Sequence, residues 1–152
     1  MTEIRKNREV AYSAEEMYAL VIDVESYPEF LPWCIQSQVH TGNERHSIAS
    51  MSLAIGKIRY TFTTENYMVP SESISIQLVK GPFKNLQGHW QFEPVDEKNC
   101  SIALRMNFEF KNRLLKHALG RAFHLIIDSL VDAFAQRAQQ VSNRSLLPAQ
   151  FQ

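Results

Sequence analysis

Residue types and motifs that mark several large functional classes are scarce or missing in this sequence. Its two cysteines, Cys34 and Cys100, lie far apart and outside any CxxC or Cys/His spacing, so neither a disulfide framework nor a zinc site is indicated. The five glycines are isolated and form neither a GxGxxG motif nor a P-loop, and no HExxH or GxSxG motif occurs. We therefore expect no metal site and no catalytic residue of these kinds.

Long hydrophobic runs and an excess of one charge are missing as well. No apolar run approaches the ~18 residues of a membrane span, and the first residues, MTEIRK, lack the apolar stretch of a signal peptide. Sixteen basic and sixteen acidic side chains give a formal net charge of zero, which argues against a uniformly basic coat for nucleic acid and an acidic disordered chain. We expect a cytoplasmic monomer with one domain over residues 1–141, followed by a mobile tail at 142–152.

The zero net charge conceals an asymmetry between the two halves. Residues 1–76 hold 6 basic and 10 acidic side chains, and residues 77–152 hold 10 basic and 6 acidic ones. Between positions 110 and 127 there are four cations and no carboxylate: Lys111, Arg113, Lys116 and Arg121. This run is either a solvated helix face or a patch for the phosphates of lipid headgroups or RNA.

Short elements follow one another in the first part of the chain. Residues 4–11 have the pattern of an edge strand. Ser13 and Glu16 form a capping box, which predicts a helix that ends near Asp23. The segment 27–34 combines two prolines with three aromatic residues, which permits at most one helical turn and leaves aromatic side chains on a turn.

The middle of the chain, residues 35–110, alternates between apolar and polar residues with the period of β-strands. The dipeptides Gly42-Asn43 and Gly56-Lys57 are signals for two-residue hairpin turns. Because every connection is too short for a crossover helix, the predicted sheet is antiparallel with one buried face. On that face the strand alternation places polar Tyr60, Thr64 and Asn66 among apolar side chains.

One amphipathic helix, from about Leu114 to Val141, closes the chain. Its apolar arc covers nearly half the circumference, so we expect the sheet to embrace it. His124 and Asp128 lie on its polar strip, where a solvated pair is the expectation over a catalytic one. The predicted fold class is α+β: a curved antiparallel sheet of about seven strands around this helix, two short helices after the first strand, and a cavity between sheet and helix.

Two segments carry a resemblance to a known family. D-V-E-S-Y-P-E-F-L-P-W-C at 23–34 and G-P-F, then L-Q-G-H-W-Q-F, within 81–92 resemble the signatures of the coenzyme Q-binding START family. The F-E-F at 108–110 and the long helix fit as well. The resemblance implies the helix-grip fold and, from the mitochondrial members, binding of ubiquinone in support of respiration.

Other members of that superfamily imply other functions. The chain resembles most the bacterial members of the ribosome-association toxin type, which implies binding to the large ribosomal subunit and a block of its union with the small one. Polyketide cyclases share the fold, so a cyclase-like enzyme is the third alternative. The sequence leaves open which role is physiological.

We predict non-enzymatic binding of a hydrophobic ligand, ubiquinone or another isoprenoid lipid, with no required cofactor. The residues expected at the cavity mouth are Tyr27, Phe30, Trp33 and Phe83. Those expected along the slot are Met51, Tyr60, Phe62, Leu86, Trp90, Met106, Phe108, Phe123 and Ile127. The run from Lys111 to Arg121 would contact ribosomal RNA phosphates, or anionic headgroups in a peripheral contact at the inner membrane face.

Overall fold

A seven-stranded antiparallel sheet curves around one long helix in the computed structural model, which describes the backbone of residues 1–146 and the side chains of residues 1–142. The strands are β1 (Thr2–Val10), β2 (Cys34–Gly42), β3 (His46–Ile55), β4 (Ile58–Val69), β5 (Ser73–Lys80), β6 (Phe83–Pro94) and β7 (Cys100–Phe110). The helices are α1 (Ala14–Ile22), a 3₁₀ helix (Val24–Glu29) and α2 (Arg113–Leu146). The predicted fold class is confirmed.

The strands lie in the order β1-β7-β6-β5-β4-β3-β2, and each neighbouring pair is antiparallel. Five strands are therefore joined to the next one by simple hairpins, while β1 crosses to pair with β7. The β3–β4 turn is Gly56-Lys57, as predicted, with Gly56 at φ 61° in the left-handed region. The two-residue turn predicted at Gly42-Asn43 is wrong, because Gly42 still belongs to β2 and residues 43–45 form the connection.

Helix α1 begins with the capping box that the sequence predicts. The Ser13 Oγ accepts a hydrogen bond from the Glu16 backbone N–H at 3.1 Å, and the Glu16 carboxylate accepts one from the Ser13 N–H at 3.3 Å. Two otherwise unpaired donors of the first turn are thereby satisfied. This fixes the start of α1, whose far end forms one wall of the cavity described below.

Replacing Ser13 by alanine is expected to lower the free energy of unfolding by about 1 kcal/mol, because the first turn of α1 loses its side-chain acceptor. Urea unfolding followed by circular dichroism measures the loss. The Ser13→Asp variant is the control, since aspartate also accepts at a helix start and should retain most of the stability. Equal losses in both variants would show that the missing acceptor is not the cause.

Helix α2 buries its apolar face against the sheet and pairs its polar strip with the first strand. Lys6 Nζ lies 3.2 Å from a carboxylate oxygen of Asp128, and Arg8 lies 2.9 Å from one of Asp132. Asp128 thus pairs with β1 and not with His124. The helix continues to Leu146, past its predicted end, so 142–146 of the predicted tail are helical and 147–152 lie outside the described residues. No helix in the described part of the chain has both the length and the apolarity to cross a bilayer.

Candidate functional sites

The larger part of an internal cavity opens beside the β2–β3 hairpin. This outer chamber has a volume of about 560 Å³ and lies between the concave face of β3, β4 and β5 and the end of α1 with the 3₁₀ helix. Its wall is mostly apolar and includes Val21, Val39, Ala49, Met68 and Ile76. A cavity of this size and polarity suits a small apolar molecule.

A smaller inner chamber continues from the outer one toward α2. Its volume is about 90 Å³, and it shares Tyr27, Met51, Phe62 and Trp90 with the outer chamber. Helix α2 contributes side chains such as Phe123 to the inner chamber, and none of its side chains up to residue 142 reaches the outer one. The sequence predicted a cavity between the sheet and the long helix. This placement is wrong for most of the volume, which lies between the sheet and the α1–3₁₀ segment.

The structure brings nine of the thirteen predicted ligand-binding residues to the cavity wall. Those at one chamber or both are Tyr27, Trp33, Met51, Phe62, Leu86, Trp90, Met106, Phe123 and Ile127. The remaining four, which line neither chamber, are Phe30, Tyr60, Phe83 and Phe108. The α1 and β2 residues of the outer wall were missed because only the packing of β2 against the 3₁₀ helix that follows α1 brings them there. Ile74 and Ile76 were also missed, although the alternation of β5 places them on the concave face.

Phe83 and Phe30 require a correction, since both were predicted at a mouth. Phe83 begins β6 and is 3% exposed, with the rings of Phe110 and Phe123 each 4.9 Å away between centroids. Phe30 packs against Phe134 at 5.4 Å, and the guanidinium of Arg137 lies 4.8 Å from its ring centre. Both residues contribute to packing beside the cavity and not to its opening.

Tyr60 and Phe108 also differ from their predicted positions along the slot. Tyr60 lies opposite Leu53 on β3 and packs against the core while it stays partly exposed. Phe108 is buried in the same ring cluster as Phe83 and contributes to the basic groove described below. Their alternation correctly indicated the concave side of the sheet, but the cavity does not extend that far.

Two buried titratable groups near the cavity, Tyr27 and Cys34, are held in their neutral forms. Burial raises the pKa of the Tyr27 hydroxyl, which donates a hydrogen bond to the backbone carbonyl of Val21. Burial also raises the pKa of the Cys34 thiol to about 11, so this thiol is protonated at neutral pH and is a poor nucleophile. Within residues 1–142, no three His, Cys, Asp or Glu side chains lie close enough to hold a metal ion. The apolar wall of the cavity suits the binding of a neutral molecule.

A basic groove lies where β7 ends and α2 begins, away from the cavity opening. It has a volume of about 470 Å³. Its walls hold all four predicted patch cations together with a fifth from β6: Lys84, Lys111, Arg113, Lys116 and Arg121. Lys84 could not be found from linear spacing, because only the pairing of Phe83 with Phe110 brings the start of β6 beside the end of β7.

The electrostatics of the basic groove favour anions. Among the described side chains, no carboxylate oxygen lies within 4.0 Å of any of these five cations, although Glu109 is also at the wall. The side-chain oxygen of Asn112 accepts from the Leu115 N–H at 2.9 Å and so caps the first turn of α2. The positive end of the helix dipole adds to the charge of the groove. Phosphate groups are the ligands that such a surface binds best.

Comparison with known proteins agrees with this architecture. Residues 10–135 match the family described as polyketide cyclase / dehydrase and lipid transport. The chain is 43% identical over 141 residues to the ribosome association toxin RatA of Vibrio cholerae, which covers 93% of this chain and 98% of that protein. It is 25% identical to the mitochondrial coenzyme Q-binding protein COQ10 homolog B of Xenopus laevis, over 96% of this chain and 62% of that protein. Neither relative carries the name of an enzyme.

A solved structure shares the fold at low sequence identity. The START superfamily protein from Mycobacterium smegmatis superimposes with a TM-score of 0.74 at 20% identity, over 91% of this chain and 98% of that one. At this identity the likeness bears on the fold alone. It supports the arrangement of curved sheet and long helix that positions both the cavity and the basic groove.

Proposed function

This chain belongs to the polyketide cyclase/dehydrase and lipid transport family, with its START-like fold, and we propose that it associates with the ribosome through the basic groove. Relatives that match nearly end to end at more than 40% identity are named for ribosome association, which supports the choice of partner. The observation that carries the proposal is the convergence of five cations from three elements without a carboxylate partner among the described residues.

The basic groove suits the backbone of RNA more than its bases. Its cations come from β6, the β7–α2 junction and the first three turns of α2, so more than one phosphate can be contacted at once. The aromatic side chains at its wall, Phe108 and Phe110, are 2% and 8% exposed and offer no free ring for base stacking. We therefore propose contacts to ribosomal RNA phosphates, on the large subunit, by a protein of the cytoplasm.

Sedimentation of the purified protein with separated ribosomal subunits tests this proposal. The protein should migrate with the large subunit at low salt and leave it as salt rises, because phosphate contacts release counterions. Added protein should also lower the fraction of joined subunits. Absence from the large-subunit fraction at low salt, or binding that salt does not weaken, would contradict the proposal.

We also propose that the cavity binds a neutral isoprenoid lipid such as ubiquinone, without chemistry on it. The apolar outer chamber supports this second role, as does the coenzyme Q-binding name of a more distant relative. Each methylene buried there would contribute about 0.8 kcal/mol, so binding needs no special motif. Delivery of such a lipid would place the protein at times on the inner membrane face. We do not propose cyclase chemistry, since Tyr27 and Cys34 are both held protonated.

Mass spectrometry of an organic extract tests the lipid-binding role. The protein would be expressed in a ubiquinone-producing bacterium and purified without detergent. A near-stoichiometric quinone in the extract is the expected result. An extract free of quinone and of other isoprenoid lipids would contradict this role and leave ribosome association to be judged by sedimentation alone.

A further inference from the structure

A small polar cluster interrupts the apolar wall of the outer chamber. Thr64 and Asn66 point inward from β4 and are 9% and 8% exposed, and Ser47 lies opposite Asn66 on β3. The Thr64 hydroxyl donates to Asn66 Oδ1 at 3.0 Å, and Asn66 Nδ2 donates to Ser47 Oγ at 3.2 Å. One hydroxyl on the same strand and one on the neighbouring strand thus bond the two ends of a single amide.

The amide of Asn66 retains unused hydrogen-bonding capacity. Its nitrogen carries two hydrogens, and one of them goes to Ser47. No other acceptor in the described residues takes the second hydrogen, although Asn66 lies at the wall of a cavity large enough for a ligand. With Thr64 donating to Oδ1 and Ser47 accepting from Nδ2, both ends of the amide are engaged and the amide nitrogen lies on the Ser47 side. A directed N–H donor is therefore available to whatever occupies the chamber.

The charge of the chamber limits what that occupant can be. Among the side chains of residues 1–142, no lysine or arginine lines either chamber, and the charged residue at the outer wall is Glu44, an exposed carboxylate. An anionic amphiphile such as a fatty acid would find no counter-charge for its carboxylate there. The chamber therefore suits a neutral molecule that has an apolar body and an oxygen acceptor.

We propose that Asn66 recognises a carbonyl oxygen of a neutral apolar ligand, with Thr64 as the positioning residue that holds its amide. This inference rests on the lipid-binding role proposed above and adds the residue that selects the ligand's polar end. The carbonyl of a quinone ring meets the requirement, whereas a plain hydrocarbon leaves the Asn66 N–H without an acceptor. The selectivity is therefore for a carbonyl-bearing lipid over a hydrocarbon and over a fatty acid.

Quenching of tryptophan fluorescence by a bound quinone measures ligand binding directly, because both tryptophans of the chain, Trp33 and Trp90, lie at the cavity wall. The full-length protein would be titrated with a ubiquinone that has a short isoprenoid tail. Squalene and palmitate would be measured by their ability to displace that quinone. For the wild type we expect tight quinone binding, weaker squalene binding and the weakest binding by palmitate.

Three variants of β4 separate recognition from folding. Asn66→Leu should weaken quinone binding about tenfold, the worth of one neutral hydrogen bond, and leave squalene unaffected. Asn66→Ala also lacks the N–H donor and brings no charge into the chamber, so it should fold and show a similar loss. Thr64→Val should weaken quinone binding less, by about threefold. Thr61→Val is the matched control, because Thr61 faces outward from the same strand, bonded to Ser52.

The possible outcomes distinguish this inference from the role on which it rests. Selective loss of quinone binding in both Asn66 variants, with Thr61→Val unchanged, supports it. Wild-type quinone affinity in folded Asn66→Ala, or equal losses for quinone and squalene, would overturn it while lipid binding stands. Palmitate binding as strong as that of the quinone would overturn the preference for a neutral ligand. A wild type that binds neither quinone nor squalene would overturn the lipid-binding role and this inference together.

Discussion

Replacing Lys111, Arg113, Lys116 and Arg121 together by glutamine is expected to weaken binding to the large ribosomal subunit about a thousandfold. A basic side chain at an anionic surface contributes about 1 kcal/mol, and the four contributions multiply in the binding constant. Each phosphate contact that is lost should also reduce the slope of log affinity against log salt by about 1. Sedimentation at several salt concentrations measures both quantities.

A second fourfold variant controls for the change in net charge. Arg5, Arg45, Lys98 and Arg105 are exposed and line no part of the basic groove, so their replacement by glutamine removes the same charge elsewhere. This control should keep most of the affinity and most of the salt dependence. If both variants lost binding equally, the ribosome would be sensing overall charge, and the basic groove would not be the contact surface.

The order of elements could be predicted because it depends on local patterns. The capping box of Ser13 and Glu16 sets the start of α1, and alternation sets the strands, so both can be deduced from neighbours in the chain. The β2–β3 turn was misplaced by one residue or more because Asn43 is followed by a longer connection than the glycine signal suggests. Its side-chain oxygen accepts from the N–H groups of Arg45 and His46, which stabilises three residues where two were predicted.

The candidate sites were harder to predict, since each is assembled from distant segments. Four of the five groove cations lie on α2 or just before it, but Lys84 joins them only through strand pairing. Asn66 was recognised as inward-facing from the alternation of β4. The Gly56-Lys57 turn places Ser47 opposite Asn66, but the bonds of Asn66 to Thr64 and Ser47 also depend on the side-chain rotamers, which the register does not specify.

Phe83 shows how a turn signal can mislead. The Gly-Pro dipeptide before it indicates a loop, and an aromatic residue on a loop beside a cavity suggests a mouth. In the structure β6 begins at Phe83 itself, which places the ring inward. Around it lie Phe62 and Phe123 of the cavity wall and Phe108 and Phe110 of the groove wall, with centroids 4.9 to 6.3 Å from its own. Phe83 therefore joins the walls of the two candidate sites.

Replacing Phe83 by alanine is expected to lower the free energy of unfolding by about 3–5 kcal/mol, because the side chain is 3% exposed and its loss leaves a void among four rings. For a chain of this size the midpoint of thermal unfolding should fall by roughly 10 °C. Urea unfolding measures the difference in the free energy of unfolding directly, provided that the variant and the wild type have the same m-value.

Two further variants decide what a loss in Phe83→Ala means. Phe83→Leu keeps much of the apolar volume and should lower the free energy of unfolding by less than about 2 kcal/mol. Tyr67→Ala removes a ring that is 46% exposed and should change the free energy of unfolding by no more than about 0.5 kcal/mol. A loss in Phe83→Ala as small as that in Tyr67→Ala would mean that Phe83 faces solvent, as a residue at the mouth would. A large loss in Phe83→Ala that Phe83→Leu largely restores would instead establish that one buried ring supports both the cavity wall and the basic groove.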